Sequence, residues 1–299
     1  MASPENPQFE PPAEPSAEPT STFQGETPVI APNVEGSPGA APTPPTPVED
    51  PVWSGWDVLL IAILTFIVAA LLQLASLKAA QLLWYPQLSL RQAEQQVEKQ
   101  PILLIVTQIV LYIPIALLMI ATVEGKYRVP FWRAIGWNWP RTVWKWIALG
   151  VLLLLVLTMF ENLLPMPSDT PFQRLFDRPL DAYLLGLVSI TLAPLIEELF
   201  FRGLLYPVLA RRTGMAWGVV LSAVPFALLH LQQYGYAWAA VLVIFVVGLV
   251  LGAVRAKTRS VGCSFLVHAG YNGIQLLIAL ALTHGFTRMP KGLLEGWRS

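Results

Sequence analysis

The sequence predicts an all-α, polytopic membrane helix bundle of about seven to eight spans, carried behind a disordered N-terminal tail. Three observations predict it. Of the 299 residues, 55% are hydrophobic and 13% are charged, where a soluble domain carries about a quarter charged. The apolar residues come in blocks of about 20, the length that crosses a bilayer. Residues 1–51 hold eight acids (Glu5, Glu10, Glu14, Glu18, Glu26, Glu35, Glu49 and Asp50), no Lys or Arg, and many prolines. Such a segment cannot bury enough apolar surface to offset its ordering entropy. It lacks the basic start and apolar centre of a signal peptide.

The spans follow in order. Residues 56–77 and 101–123 form an N-terminal pair within 52–125. A second region, 126–284, holds five more: 146–164, about 181–210, about 215–232, about 236–254 and 261–283, with 285–299 as a short C-terminal tail. Between spans two and three, "YRVPFWRAIGWNWPRTVWKW" contains Trp132, Trp137, Trp139, Trp144 and Trp146. Trp settles at headgroup level and Lys and Arg snorkel there, so this segment lies on the membrane surface. Residues 170–183 read as a weaker segment of the same kind.

Charge placement sets orientation and partners. Formal net charge is zero, which points to no nucleic-acid partner. The loops on the side of the N-terminus carry Lys126, Arg128, Arg133, Arg141, Lys145, Arg211, Arg212, Arg255, Lys257 and Arg259. The other side carries Arg91, Lys99, Arg174, Arg178, Arg288, Lys291 and Arg298. The excess places the N-terminus in the cytoplasm. One cysteine, Cys263, excludes an internal disulfide and reads as a packing residue.

The informative residues are the polar ones inside the spans. "APLIEELFFRGLLYP" puts Glu197, Glu198 and Arg202 in span four, where each charge costs about 2.5–3.5 kcal/mol on insertion scales. Glu198 and Arg202 are four apart and can pair. Glu197 lies about 100° round the helix and keeps a free carboxylate. His230 falls deep in span five, one turn after Phe226, and His268 falls in span seven, one turn before Asn272. Pro194 and Pro225 precede the two sites and tend to kink their helices. His284 lies at the far interface, and Tyr271 and Ser264 are candidate supporting donors. Counted from one membrane face, Glu197 and His230 lie about 20 Å deep and His268 and Asn272 about 10–16 Å, at 1.5 Å per residue, so tilt can bring them together.

These groups can activate water. A carboxylate in low dielectric suits a general base, an imidazole orients water or binds metal, and an amide donates to an oxyanion. Glu197, His230 and His268 also form a plausible Zn²⁺ set with an open position, and the spacing decides neither way. A charge cluster that only joins helices, or a proton relay of a transporter, are the competing readings.

The motifs "EELFFR" (197–202), "FALLH" (226–230) and "HAGYN" (268–272) resemble the CPBP family, the CAAX prenyl proteases and bacteriocin-processing or Abi-type intramembrane proteases. The resemblance covers about residues 130–283. It implies an intramembrane metalloendopeptidase of a bacterial cell membrane acting on a peptide or membrane-protein substrate. It implies Glu197 as base, His230 on the water or a metal, His268 and Asn272 on the oxyanion, and Glu198 and Arg202, with Phe226, as structural support. The acidic, proline-rich tail fits a bacterial chain and argues against a prenylated substrate. A non-catalytic immunity or scaffold member is the alternative.

Overall fold

The computed structural model describes residues 50–97, 100–167, 170 and 178–287. The tail 1–49, residues 171–177 of the second surface segment, and 288–299 lie outside the described residues. What is described is helical, with no strand among the described residues.

Helix α1 (Gly55–Trp84) starts on a capping box, in which Ser54 accepts from Asp57 N–H and Asp57 accepts from Ser54 N–H. Both otherwise bare donors of the first turn are satisfied. Asp57 also takes Lys126 and Tyr127, which anchors the start of α1 to the end of span two. A short α2 (Leu90–Val97) leads to α3 (Pro101–Ile120), continued by a π-helical turn, Ala121–Lys126. The Trp-rich segment contains α4 (Phe131–Ala134), and α5 (Val143–Glu161) follows. Span four is α6 (Pro179–Ile190), α7 (Leu192–Glu198), a π-helical turn (Leu199–Leu205) and α8 (Tyr206–Thr213). Gly214, at φ +83°, makes the tight reversal into α9 (Met215–Leu228), a backbone angle that suits glycine. Helices α10 (Trp238–Thr258) and α11 (Val261–Leu282) complete the bundle.

Six of these segments are long and apolar enough to cross a membrane, and α9, at 14 residues, is a shorter seventh. The expectation of seven to eight spans is roughly consistent with these six helices and the shorter α9 among the described residues. The outer surface carries Leu60, Phe66, Leu71, Leu117, Leu152 and Met159 exposed, as helices facing hydrocarbon must. The interior has two apolar clusters. Trp53, Ile61, Met119, Phe131 and Ile135 centre one, and Leu154, Phe226, Leu251 and Val267 the other. The π-helical turn 199–205 joins them, giving Leu199 and Leu204 to the first and Phe201 to the second.

Helix α11, which carries His268 and Asn272, packs most extensively on α5. The contact is backbone to backbone. A Cβ on Gly150 would run into Val267 O, and one on Gly270 would meet Ile147 O at 2.6 Å. Small residues at a crossing let helices approach this closely in lipid. The start of α11 is tied to the Trp-rich segment: Val261 N donates to Gly136 O, and Ser260 Oγ to Asn138 O.

Gly150→Val should therefore lower thermal stability in detergent by an overpacking cost of about 1–3 kcal/mol. Gly273→Ala, whose added Cβ meets nothing within 4 Å, should be neutral or raise stability by about 0.5–1 kcal/mol. Melting curves of the two variants that coincide would refute the close α5–α11 crossing.

Candidate active site

Glu197 and Glu198 end α7, and the chain before them is broken. Thr191 leaves the helical path at φ −122°, ψ −82°. Pro194 then sits in the first turn of α7, where its missing N–H leaves no intrahelical bond unmade. The expected proline kink is thus a full break three residues earlier. It strips the last carbonyls of α6 of their helical donors, and Asn272 Nδ2 donates to one of them, Ser189 O, at 2.7 Å.

Directly after Glu198 the chain widens into the π-helical turn that carries Arg202. Such turns cluster at functional sites. Arg202 Nη1 donates to Glu198 Oε1 at 3.0 Å and Nη2 to Gly248 O at 3.0 Å, and the guanidinium lies 4.4 Å from the centroid of the Phe226 ring. Glu198 and Arg202 are both 0% exposed. Glu198 has a second partner that spacing alone does not reveal: His268 Nδ1 lies 3.0 Å from the same Oε1. The other imidazole nitrogen, Nε2, is 3.8 Å from Glu197 Oε2, and the Glu197 side chain keeps 26% of its surface. The two carboxylates, splayed round the helix as expected, thus address opposite nitrogens of one ring. Arg202 and His268 share Glu198 Oε1, Glu198 Oε2 is buried with no hydrogen-bond partner among the described residues, and Glu197 is the more exposed of the two.

His230 lies past the end of its helix, not within it. Helix α9 ends at Leu228, Leu229 opens the run of turns that follows, and His230 is the second residue of that run. Its backbone N–H skips Phe226 O and bonds Ala227 O at 3.1 Å, while its own Nδ1 donates to Phe226 O at 2.8 Å. That bond assigns the proton to Nδ1 and leaves Nε2 as an acceptor. Phe226 holds both imidazoles: its centroid is 5.2 Å from the His230 ring and 5.8 Å from the His268 ring. Burial pushes the Tyr234 hydroxyl in these turns up to about 12, and the charges of Glu161 and Glu197 add to the shift.

Among the described residues no three His, Cys, Asp or Glu side chains come together as a set that could hold a metal ion. As placed, Glu197, His230 and His268 do not make the Zn²⁺ cage, so no step below is routed through a metal. Ser264 donates to Leu251 O and binds α11 to α10, away from the site. Tyr271 is buried in the second apolar cluster. Cys263 is buried and free, and His284 lies in the turn after α11.

The family model described as type II CAAX prenyl endopeptidase Rce1-like matches residues 179–274, under half of the chain, and the matched stretch contains Glu197, Glu198, Arg202, Phe226, His230, His268 and Asn272. The chain carries an Rce1-like domain. The resemblance to the CPBP family is borne out by this match. Comparison with curated proteins and with solved structures gives no match. Its long apolar helices make this an integral membrane protein, and residues 179–274 are similar to the type II CAAX prenyl endopeptidase Rce1-like family.

Sequence reasoning missed Arg255. It counts as a loop charge in the orientation argument, yet α10 extends past it to Thr258 and it is 1% exposed. Its sequence signal is its place one turn before a helix end. Glu161 and Tyr234 were also passed over, and no spacing links them to Glu197.

The two adjacent glutamates should separate by stability. Glu198→Gln breaks a fully buried pair and should cost about 3–5 kcal/mol. Glu197→Gln, at a partly exposed carboxylate with no hydrogen bond from Arg202, should leave the melting temperature in detergent within a degree or two of wild type. Equal losses for both would show that Glu197 too is a structural carboxylate.

Proposed function

We propose that the protein is an intramembrane endopeptidase that hydrolyses a peptide bond with water activated by Glu197. The observation that carries this reading is the unequal pair. Glu198 is fully buried and binds Arg202 and His268 through Oε1, while Glu197, partly exposed, faces His268 Nε2 at 3.8 Å. A carboxylate within one water's reach of an oriented imidazole, in apolar surroundings, suits a general base.

The chemistry needs no serine or cysteine nucleophile. Glu197 takes a proton from water as its oxygen bonds to the scissile carbonyl carbon. His230 Nε2, freed by the Nδ1 bond to Phe226 O, accepts a hydrogen bond from the same water. The carbonyl oxygen gains the electron pair and is met by His268 carrying a proton on both ring nitrogens, Nδ1–H donating to Glu198 and Nε2–H to the oxygen. It is also met by the Asn272 amide hydrogen not used on Ser189 O. Collapse of the intermediate expels the amine, which takes its proton from Glu197. The N-terminus is cytoplasmic, and the membrane is that of a bacterial cell. The substrate is a peptide or membrane protein.

The experiment is cleavage of a membrane-peptide library in proteoliposomes. Glu197→Gln should lower the rate by about 10²–10⁴-fold, the usual contribution of a positioned base, with its melting temperature unchanged. His230→Ala should also lower the rate. Chelator should leave cleavage intact. Glu197→Gln cleaving at the wild-type rate would remove the general-base role. Loss of cleavage in chelator, restored by Zn²⁺, would place a metal on Glu197, His230 and His268.

A further inference from the structure

The π-helical turn 199–205 has an unusual backbone problem. In an α-helix Tyr206 N–H would bond Arg202 O. Here it bonds Phe201 O, one residue further back. In that wider register the donor for Arg202 O would be residue 207, which is Pro207 and has no N–H. The carbonyl of Arg202 is therefore left without a backbone donor by either register. A bare carbonyl buried away from water is costly.

Arg255 of α10 takes it. Its Nε donates to Arg202 O at 3.1 Å, its Nη2 to Ile135 O of the Trp-rich segment at 3.3 Å, and its guanidinium lies 5.7 Å from the Tyr206 ring. A second long-range donor serves the same turn: Trp53 Nε1 bonds Leu204 O at 3.0 Å. Arginine suits this place because one planar fork reaches two carbonyls at once.

We propose that Arg255 is a positioning residue of the site. By filling the carbonyl that the π-helical turn and Pro207 leave bare, it holds that turn open and so keeps Arg202 on Glu198 and Glu198 on His268. It touches none of the reacting groups. The consequence for rate rests on the proteolytic reading above. The consequence for the backbone does not.

Arg255→Met and the double variant Pro207→Ala/Arg255→Met test it. Replacing the proline restores an N–H at that position, which can serve Arg202 O from within the helix. Arg255→Met should lower kcat by about ten- to a hundredfold, as a small misplacement of a site does, with KM within twofold. The double variant should recover most of the loss. Independently of activity, hydrogen exchange in detergent should rise across 198–207 in Arg255→Met, stay level in the rest of α10 and α11, and return to wild type in the double variant. Should Arg255→Met fail to fold, Arg255→Lys, which reaches one carbonyl but not both, takes its place in each measurement. Unchanged kcat and exchange, or losses that Pro207→Ala does not reverse, would overturn the proposal. If the wild type cleaves no peptide, the proteolytic reading fails and the exchange measurement still decides this one.

Discussion

The polar interior of this bundle is organised by one carboxylate oxygen. Glu198 Oε1 is shared between Arg202 Nη1 and His268 Nδ1, both at 3.0 Å, in surroundings from which water and lipid headgroups are shut out. A lone buried charge is expensive, and a buried pair broken on one side is worse than one never made. Helices α7 and α11 therefore cannot slide past each other without exposing a charge to hydrocarbon. Arg202 adds α10 through Gly248 O and α9 through the Phe226 ring. Four segments are thus pinned by one ion pair, which lets a helix as short as α9 keep its place.

The same pin explains how adjacent glutamates acquire different characters. Consecutive helical residues point about 100° apart, which from the sequence alone puts Glu197 somewhere other than the Arg202 face. The structure shows that the divergence spans one imidazole: Nδ1 faces Glu198 and Nε2 faces Glu197. Burial and a guanidinium commit Glu198 to holding helices together. Glu197 keeps a quarter of its side-chain surface and takes no hydrogen bond from Arg202. The roles follow from position in the helix and owe nothing to residue type.

The spans were legible because lipid selects by composition: long apolar runs must be helices, and the expected ends fall near the observed ones for α5, α10 and α11. The pairing of Glu198 with Arg202 was legible because it is local. What was illegible is what an apolar run conceals. "FALLHL" reads the same as helix or as turn, so the end of α9 at Leu228 and the exit of His230 from the helix carry no periodic mark. The π-helical turn leaves no hydrophobic signature either, and Pro207 alone hints at it. The Glu198–His268 bond spans 70 residues, and spacing rules reach only one turn. Arg255 was misread because three cations near a helix end look like a loop, and only its burial separates it from Lys257 and Arg259.

The breaks in the helices and the polar residues of the site prove to be one device. Lipid cannot satisfy a carbonyl freed where a helix is irregular, and at these irregularities a polar side chain reaches a carbonyl. Ser189 O, released where α6 ends, takes Asn272. Phe226 O, skipped as α9 unwinds, takes His230. Arg202 O and Leu204 O in the π-helical turn take Arg255 and Trp53. A bundle of unbroken helices would have no such carbonyls and would leave these side chains in hydrocarbon without partners. The backbone defects therefore give the polar groups their reason to be stable inside a membrane, and the polar groups give the defects theirs. His230 and Asn272 are each held by one bond to a carbonyl at the end of a helix, Phe226 O and Ser189 O.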